Sequence, residues 1–173
     1  MSIPTTALAD ADTLTLTLAT QVGQLLAARG HQVTTAESCT GGLIAGAITE
    51  VAGSSAWFER GFVTYANQAK VDMLAVPPGF LQTLGAVSEP VVAAMAQGAA
   101  EAAQAQWAVA VSGIAGPGGG SADKPVGTVW LAWACPHGIF TERQWFGGDR
   151  SAIRTQTVQR ALQRLIELIK ETA

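Results

Sequence analysis

"WAVAVS", residues 107–112, is apolar on both of its alternating faces, the pattern of a strand in the middle of a sheet with helices packed above and below. A glycine-rich stretch, Gly113 to Gly120, follows it. Beyond that loop, "GTVWLAWA" (127–134) and "GIFTERQWF" (138–146) flank Cys135-Pro136-His137 as the two strands of a hairpin. Asp149 or Ser151 then caps a last helix that ends near Lys170. Toward the amino end, Ser88 caps a helix with Pro90 in its first turn, and a shorter helical piece runs from the Pro77-Pro78 break to Gly85. "RGFVTYA" (60–66) reads as a strand, with Asn67 placed to cap a short helix carrying Lys70 and Met73. "HQVTTA" (31–36) is a strand leading into a helix over "GGLIAGAITEVAG" (41–53) that closes at Gly53. Leu14, Leu18, Val22, Leu25 and Leu26 recur at helical spacing, and Gly30 stands where a left-handed residue would stop that helix. Residues 1–10 read as a flexible tail.

Strands alternating with helices and then a hairpin predict a three-layer α/β/α sandwich with a mixed sheet, in a single domain spanning 1–173. In open sheets of this kind ligands gather at the carboxyl ends of strands, where both glycine-rich stretches fall.

The net charge of −3 and a pI near 5.3 leave no broad basic face, so nucleic acid is not the expected partner. The longest apolar runs, such as 107–111 and 129–135, fall far short of the ~20 residues of a membrane-spanning helix. "MSIPTTALADAD" has no basic segment leading into an apolar core, so a cytoplasmic protein is expected. Cys39 and Cys135 lack CxxC spacing, and His31 and His137 are isolated. Reduced thiols, no metal and no cofactor are expected.

The reactive groups concentrate in "TTAESCTGG", residues 34–42. Ser38 falls where a strand turns into a helix, a position that can expose its hydroxyl and aim amide N–H groups at a developing anion. Ser38 or Thr40 could equally cap that helix, and spacing leaves the two readings open. A serine nucleophile needs a base. Neither histidine lies near a glycine-rich segment, so lysine is the remaining class, provided burial strips its proton. Lys70 is the candidate, since the strand leading to it also delivers Tyr65 and Asn67. By itself each of these has an ordinary alternative as a solvated lysine or a half-buried aromatic. Cys39 is a competing nucleophile, disfavoured because a residue one step past the turn faces elsewhere.

"TTAESCTGGLIAGAITEVAGSSAWFERGFVTYANQAK", "GAVSEP", "SGIAGPGGGSADKPVGTVW" and "GDR", in order from about Gln21 to the last helix, resemble the CinA carboxy-terminal domain family, whose stand-alone members are nicotinamide-nucleotide amidohydrolases. The resemblance implies hydrolysis of the carboxamide of nicotinamide mononucleotide to the nicotinic acid nucleotide and ammonia. It places the family's serine on Ser38, its tyrosine on Tyr65 and its lysine on Lys70. Ser38 would then attack the amide with Lys70 as base, Tyr65 would hydrogen-bond Ser38 or Lys70, and backbone N–H groups near Cys39 to Gly42 would hold the oxyanion.

Thr40, Gly41, Gly42 and Asn67 are expected among the substrate-binding residues. The loop from Ser112 to Ser121, with Gly113 and Gly116, offers backbone N–H groups to ribose or phosphate, although a plain long turn is an equal reading. Arg150 and Arg154 would pair with the phosphate, or else lie on an exposed helix face. A non-catalytic nucleotide-binding module and a protein-interaction role are the competing functions. Trp57, Phe58, Trp107, Trp130, Trp133 and Trp145 suggest a homodimer, with ordinary core as the alternative.

Overall fold

The computed structural model describes residues 5–172, with side chains from residue 10 onward. Five strands form one sheet in the order β2-β1-β3-β4-β5: β1 (Val33–Glu37), β2 (Phe58–Val63), β3 (Trp107–Gly113), β4 (Thr128–Cys135) and β5 (Gly138–Trp145). β1 pairs in parallel with both β2 and β3, while β4 and β5 run antiparallel, so the sheet is mixed as the alternation and hairpin predict.

Helices cover both faces. On one side lie α1 (Thr5–Arg29), α2 (Leu43–Thr49) and α6 (Arg150–Glu171), whose Val22, Leu26, Ile44, Ile48, Leu162 and Leu165 pack against Val109, Val111 and Trp133. On the other lie α3 (Asn67–Leu74), α4 (Pro78–Leu84) and α5 (Glu89–Ala103), where Leu74, Val91, Met95 and Ala99 meet Ala36, Ala108 and Ala110. β3 is buried on both faces because its valines serve one layer and its alanines the other. The small alanine face lets α5 come close, and α5 in turn meets α3 through Gly98. A Cβ there would lie 1.9 Å from the Leu74 carbonyl oxygen.

Several local expectations are corrected. The helix expected to run to Gly53 stops at Thr49, because the chain must turn to bring Trp57 back to the sheet, where its carbonyl accepts from Val33 N at 2.9 Å. Asn67 does not cap α3. It is already the first helical residue, behind the extended Ala66. Ser88 holds the N-cap position of α5, but its hydroxyl donates to the Gly85 carbonyl instead of capping. Asp149, not Ser151, caps α6 by accepting from Ala152 N at 2.8 Å. Of the tail expected over 1–10, residues 1–4 lie outside the described residues, and the backbone is helical from Thr5.

Of the six aromatics put forward for an interface, Trp57, Trp107 and Trp133 are core residues. The Trp107 indole N–H donates to His31 Nδ1 and that of Trp133 to the Ala161 carbonyl. Trp145 is 65% exposed. Among the described residues no helix is long and apolar enough to cross a membrane.

Candidate active site

The ends of the three parallel strands build the site. Glu37 in β1 sits between Val63 of β2 and Val111 of β3, and the ladder continues one step further through Thr64 N to the Glu37 carbonyl and Ser38 N to the Val111 carbonyl. Thr64, Ser38 and Ser112 therefore stand side by side across the sheet. They share the face that Ala36, Phe62 and Ala110 present to α5, because side chains alternate along each strand.

After Ser38 the chain reverses through a turn closed by Gly41 N to the Ser38 carbonyl at 3.1 Å. Gly41 and Gly42 both take positive φ, 61° and 102°, and no protein atom crowds the space where their Cβ atoms would be, so within the fold this turn needs glycine for its dihedrals. Neither Ser38 nor Thr40 caps α2. The cap comes from Glu37, a fully buried carboxylate to which sequence reasoning assigned no role. Its Oε2 accepts from Thr40 Oγ1 at 2.5 Å, Gly42 N at 3.1 Å and Ile44 N at 3.0 Å, and its Oε1 from Ala45 N at 2.8 Å. The available signal was a lone charge ending a short, otherwise uncharged strand just before a helix start.

Arg154 holds the same turn from the other side, donating to the Cys39 and Thr40 carbonyls at 3.1 and 2.9 Å. That corrects the exposed-face reading of Arg154: it is half-buried, with Nε and Nη2 committed to the loop. Gly41 and Gly42 N–H are likewise engaged. Of the N–H groups from Cys39 to Gly42, that of Thr40 has no partner among the described residues and that of Cys39 meets only its own side-chain sulfur.

Lys70, in the first turns of α3, reaches back under the sheet and is completely buried. Its Nζ lies 2.7 Å from the Thr64 carbonyl, 3.3 Å from the Tyr65 carbonyl and 3.1 Å from Ser38 Oγ, with Ser38 itself 9% exposed. No carboxylate bonds it among the described residues. Burial pulls the amine below its ordinary value. The neighbouring Cys39 thiol, pushed up to about 11 chiefly by its own burial, is uncharged at neutral pH and so does nothing to keep the lysine protonated. Nζ is within donor reach of all three oxygens, and in its neutral form two N–H bonds can go to the two carbonyls with the lone pair facing the serine hydroxyl. The same thiol is therefore a poor competing nucleophile.

Tyr65 departs from expectation. It is its backbone carbonyl that touches Lys70. The ring points the opposite way from Thr64, is 62% exposed, and its hydroxyl accepts from Arg150 Nη2 at 3.4 Å. Arg150 also donates to the Gly116 carbonyl at 2.9 Å, tying the mouth of the site to the second glycine loop. In that loop Gly113 and Gly116 are set by packing, since Cβ atoms would lie 2.6 Å from Val129 and Val126 side chains respectively. Its amides at Ala115, Gly116 and Gly118 to Gly120 have no partner among the described residues. Asn67 is exposed and lines a groove with Gln68, Val71 and Leu81.

An α/β sandwich that sets a serine hydroxyl against a buried amine, its pKa lowered by desolvation, beside unpaired backbone N–H groups has the layout of an acyl-transfer site. Residues 15–169 match the model of the CinA C-terminal domain, and this chain belongs to that family. It is 59% identical over 155 residues, 89% of its length and 94% of the relative's, to a protein of Escherichia coli K12 named nicotinamide-nucleotide amidohydrolase PncC. A Pseudomonas putida protein of the same name is also 59% identical, over 152 residues covering 88% of this chain and 95% of its own. The crystal structure of a competence-damaged protein (CinA) superfamily member from Klebsiella pneumoniae superposes with a TM-score of 0.88 at 42% identity, covering 91% of this chain and 98% of that one.

Proposed function

We propose that this protein is an amidohydrolase that converts nicotinamide mononucleotide to nicotinic acid mononucleotide and ammonia through a serine acyl-enzyme. The approach of Lys70 Nζ to Ser38 Oγ, 3.1 Å with no carboxylate among the described residues bonded to the amine, is the observation that carries the chemistry. The names of its relatives supply the substrate.

Ser38 Oγ attacks the amide carbon as its proton passes to the Lys70 lone pair, and the oxygen's developing charge meets the N–H groups of Cys39 and Thr40. Lys70 then returns the proton to the amide nitrogen, so that ammonia leaves. Water attacks the ester with Lys70 again as base, and Ser38 is regenerated. A cationic pyridinium in the site would further favour the neutral amine. Arg150, exposed at the mouth, and the unpartnered amides of the second glycine loop would take the phosphate and ribose, and the Tyr65 ring would lie against the base. The enzyme would work in the cytoplasm, as a homodimer.

A module that merely binds nucleotides has no use for a desolvated lysine, which costs stability. The test is ammonia release from the mononucleotide by wild type, Ser38→Ala and Lys70→Ala proteins. Activity is expected in wild type and its loss in both variants. Binding without turnover in wild type would refute the hydrolase reading, and full turnover by Ser38→Ala would refute the nucleophile. Light scattering in solution reads the dimer directly, and a monomer would overturn it.

A further inference from the structure

We infer that the Ser112 hydroxyl is a catalytic residue that donates a hydrogen bond to the oxyanion, instead of contacting ribose or phosphate as part of the glycine loop. The inference rests on the serine hydrolase reading above and adds a side-chain donor to its two backbone amides.

Ser112 is 1% exposed, yet its Oγ has no partner among the described residues. Burying a hydroxyl unpaired is costly, and nothing in the fold asks for one here. The two residues before it on the same face of β3, Ala108 and Ala110, are alanines packed under α5. An alanine would complete that face equally well, so the hydroxyl has its use outside the resting fold.

Its place in the sheet says where that use is. Ser38 stands between Thr64 on the β2 side and Ser112 on the β3 side. Lys70 comes in from the β2 side, held on the Thr64 and Tyr65 carbonyls. One amine must serve both Ser38 Oγ and the departing nitrogen, so the nitrogen of the tetrahedral intermediate lies toward β2. The carbonyl oxygen is thereby turned toward β3, where the unpaired O–H of Ser112 waits. Thr64, whose buried hydroxyl also lacks a partner, is on the amine's side and outside the oxygen's surroundings. As the serine–carbon bond forms, the carbonyl π electrons move onto that oxygen. They return when the carbon–nitrogen bond breaks, so Ser112 donates throughout and exchanges no proton.

The test is steady-state kinetics on nicotinamide mononucleotide and its thioamide counterpart with wild type, Ser112→Ala and Ser112→Thr. Removing one oxyanion donor is expected to lower kcat by roughly 10²–10³-fold, with KM little changed. The pH profile should keep its shape because Lys70 is untouched, and Ser112→Thr should recover much of the loss. The preference for the oxygen amide over the thioamide, whose larger and weaker acceptor gains less from the donor, should shrink in Ser112→Ala. Thermal stability of Ser112→Ala should equal or exceed wild type. A raised KM at unchanged kcat, or full activity in Ser112→Ala alongside an inactive Ser38→Ala, would overturn this assignment alone. An inactive wild type, or an active Ser38→Ala, would overturn the hydrolase reading beneath it.

Discussion

Replacing Glu37 by glutamine changes one atom in a residue that touches no substrate, and it is expected to be among the most damaging substitutions in the chain. Three donors converge on Oε2 and a fourth, Ala45 N–H, on Oε1. A glutamine keeps an oxygen for the three but sets its own NH₂ against Ala45 N–H. The bond lost there is worth about 1.5–3 kcal/mol, because its acceptor is charged. The three that remain become neutral bonds of roughly half the strength. With the part-buried Ala45 N–H left unpaired these losses come to roughly 5–10 kcal/mol, and the smaller cost of burying a neutral amide in place of a carboxylate offsets part of them, leaving about 3–5 kcal/mol. For a chain of this size each kcal/mol lowers Tm by about 2–4 °C, which gives a fall of roughly 6–20 °C. Thermal and urea unfolding followed by tryptophan fluorescence measure it, and kcat should fall in parallel because the turn carrying Ser38 loosens. A Tm within about 2 °C of wild type would refute the view that this carboxylate organises the turn.

Three further outcomes are expected. Burial lowers the Lys70 pKa from 10.5, so across the interval between its folded and unfolded values the unfolded chain binds the extra proton and stability rises with pH; the gain is lost as pH falls through the folded value. Activity should climb through that same folded value, and Lys70→Met should flatten the alkaline rise in Tm while abolishing turnover. Cys39, with its thiol near 11, should resist alkylation at neutral pH while the half-exposed Cys135 reacts, and Cys39→Ala should retain activity within about threefold, as read by mass spectrometry and ammonia release. Gly98→Ala forces a methyl group against the Leu74 carbonyl and should cost about 1–3 kcal/mol in urea unfolding while displacing α3, so that kcat suffers more than KM.

The layers and strands were legible because they follow from periodicity and punctuation: the short two-faced apolar run at 107–111 suits a central strand, and glycine or proline marks many element ends. The pairing of Ser38 with Lys70 was proposed from the absence of a suitable histidine together with family resemblance, and the topology that brings residues 32 positions apart within 3.1 Å is a tertiary fact. What sequence could not convey was how shared hydrogen bonds are divided. Arg154 looked like a ligand for an anion and also bonds two carbonyls, while Tyr65 lent its carbonyl to the lysine and its hydroxyl to Arg150. Glu37 passed unnoticed because a carboxylate in sequence looks solvated until its donors are seen to converge on it.

The grip of Arg154 on the Cys39 and Thr40 carbonyls has a temporal side. That arginine belongs to the final helix, so during synthesis the turn bearing Ser38 leaves the ribosome long before its outer clasp exists. An unfinished chain carries the nucleophile without the full means of aiming it. Competence for chemistry thus arrives together with completion of the molecule, and shortened products ending before residue 150 are expected to be inert.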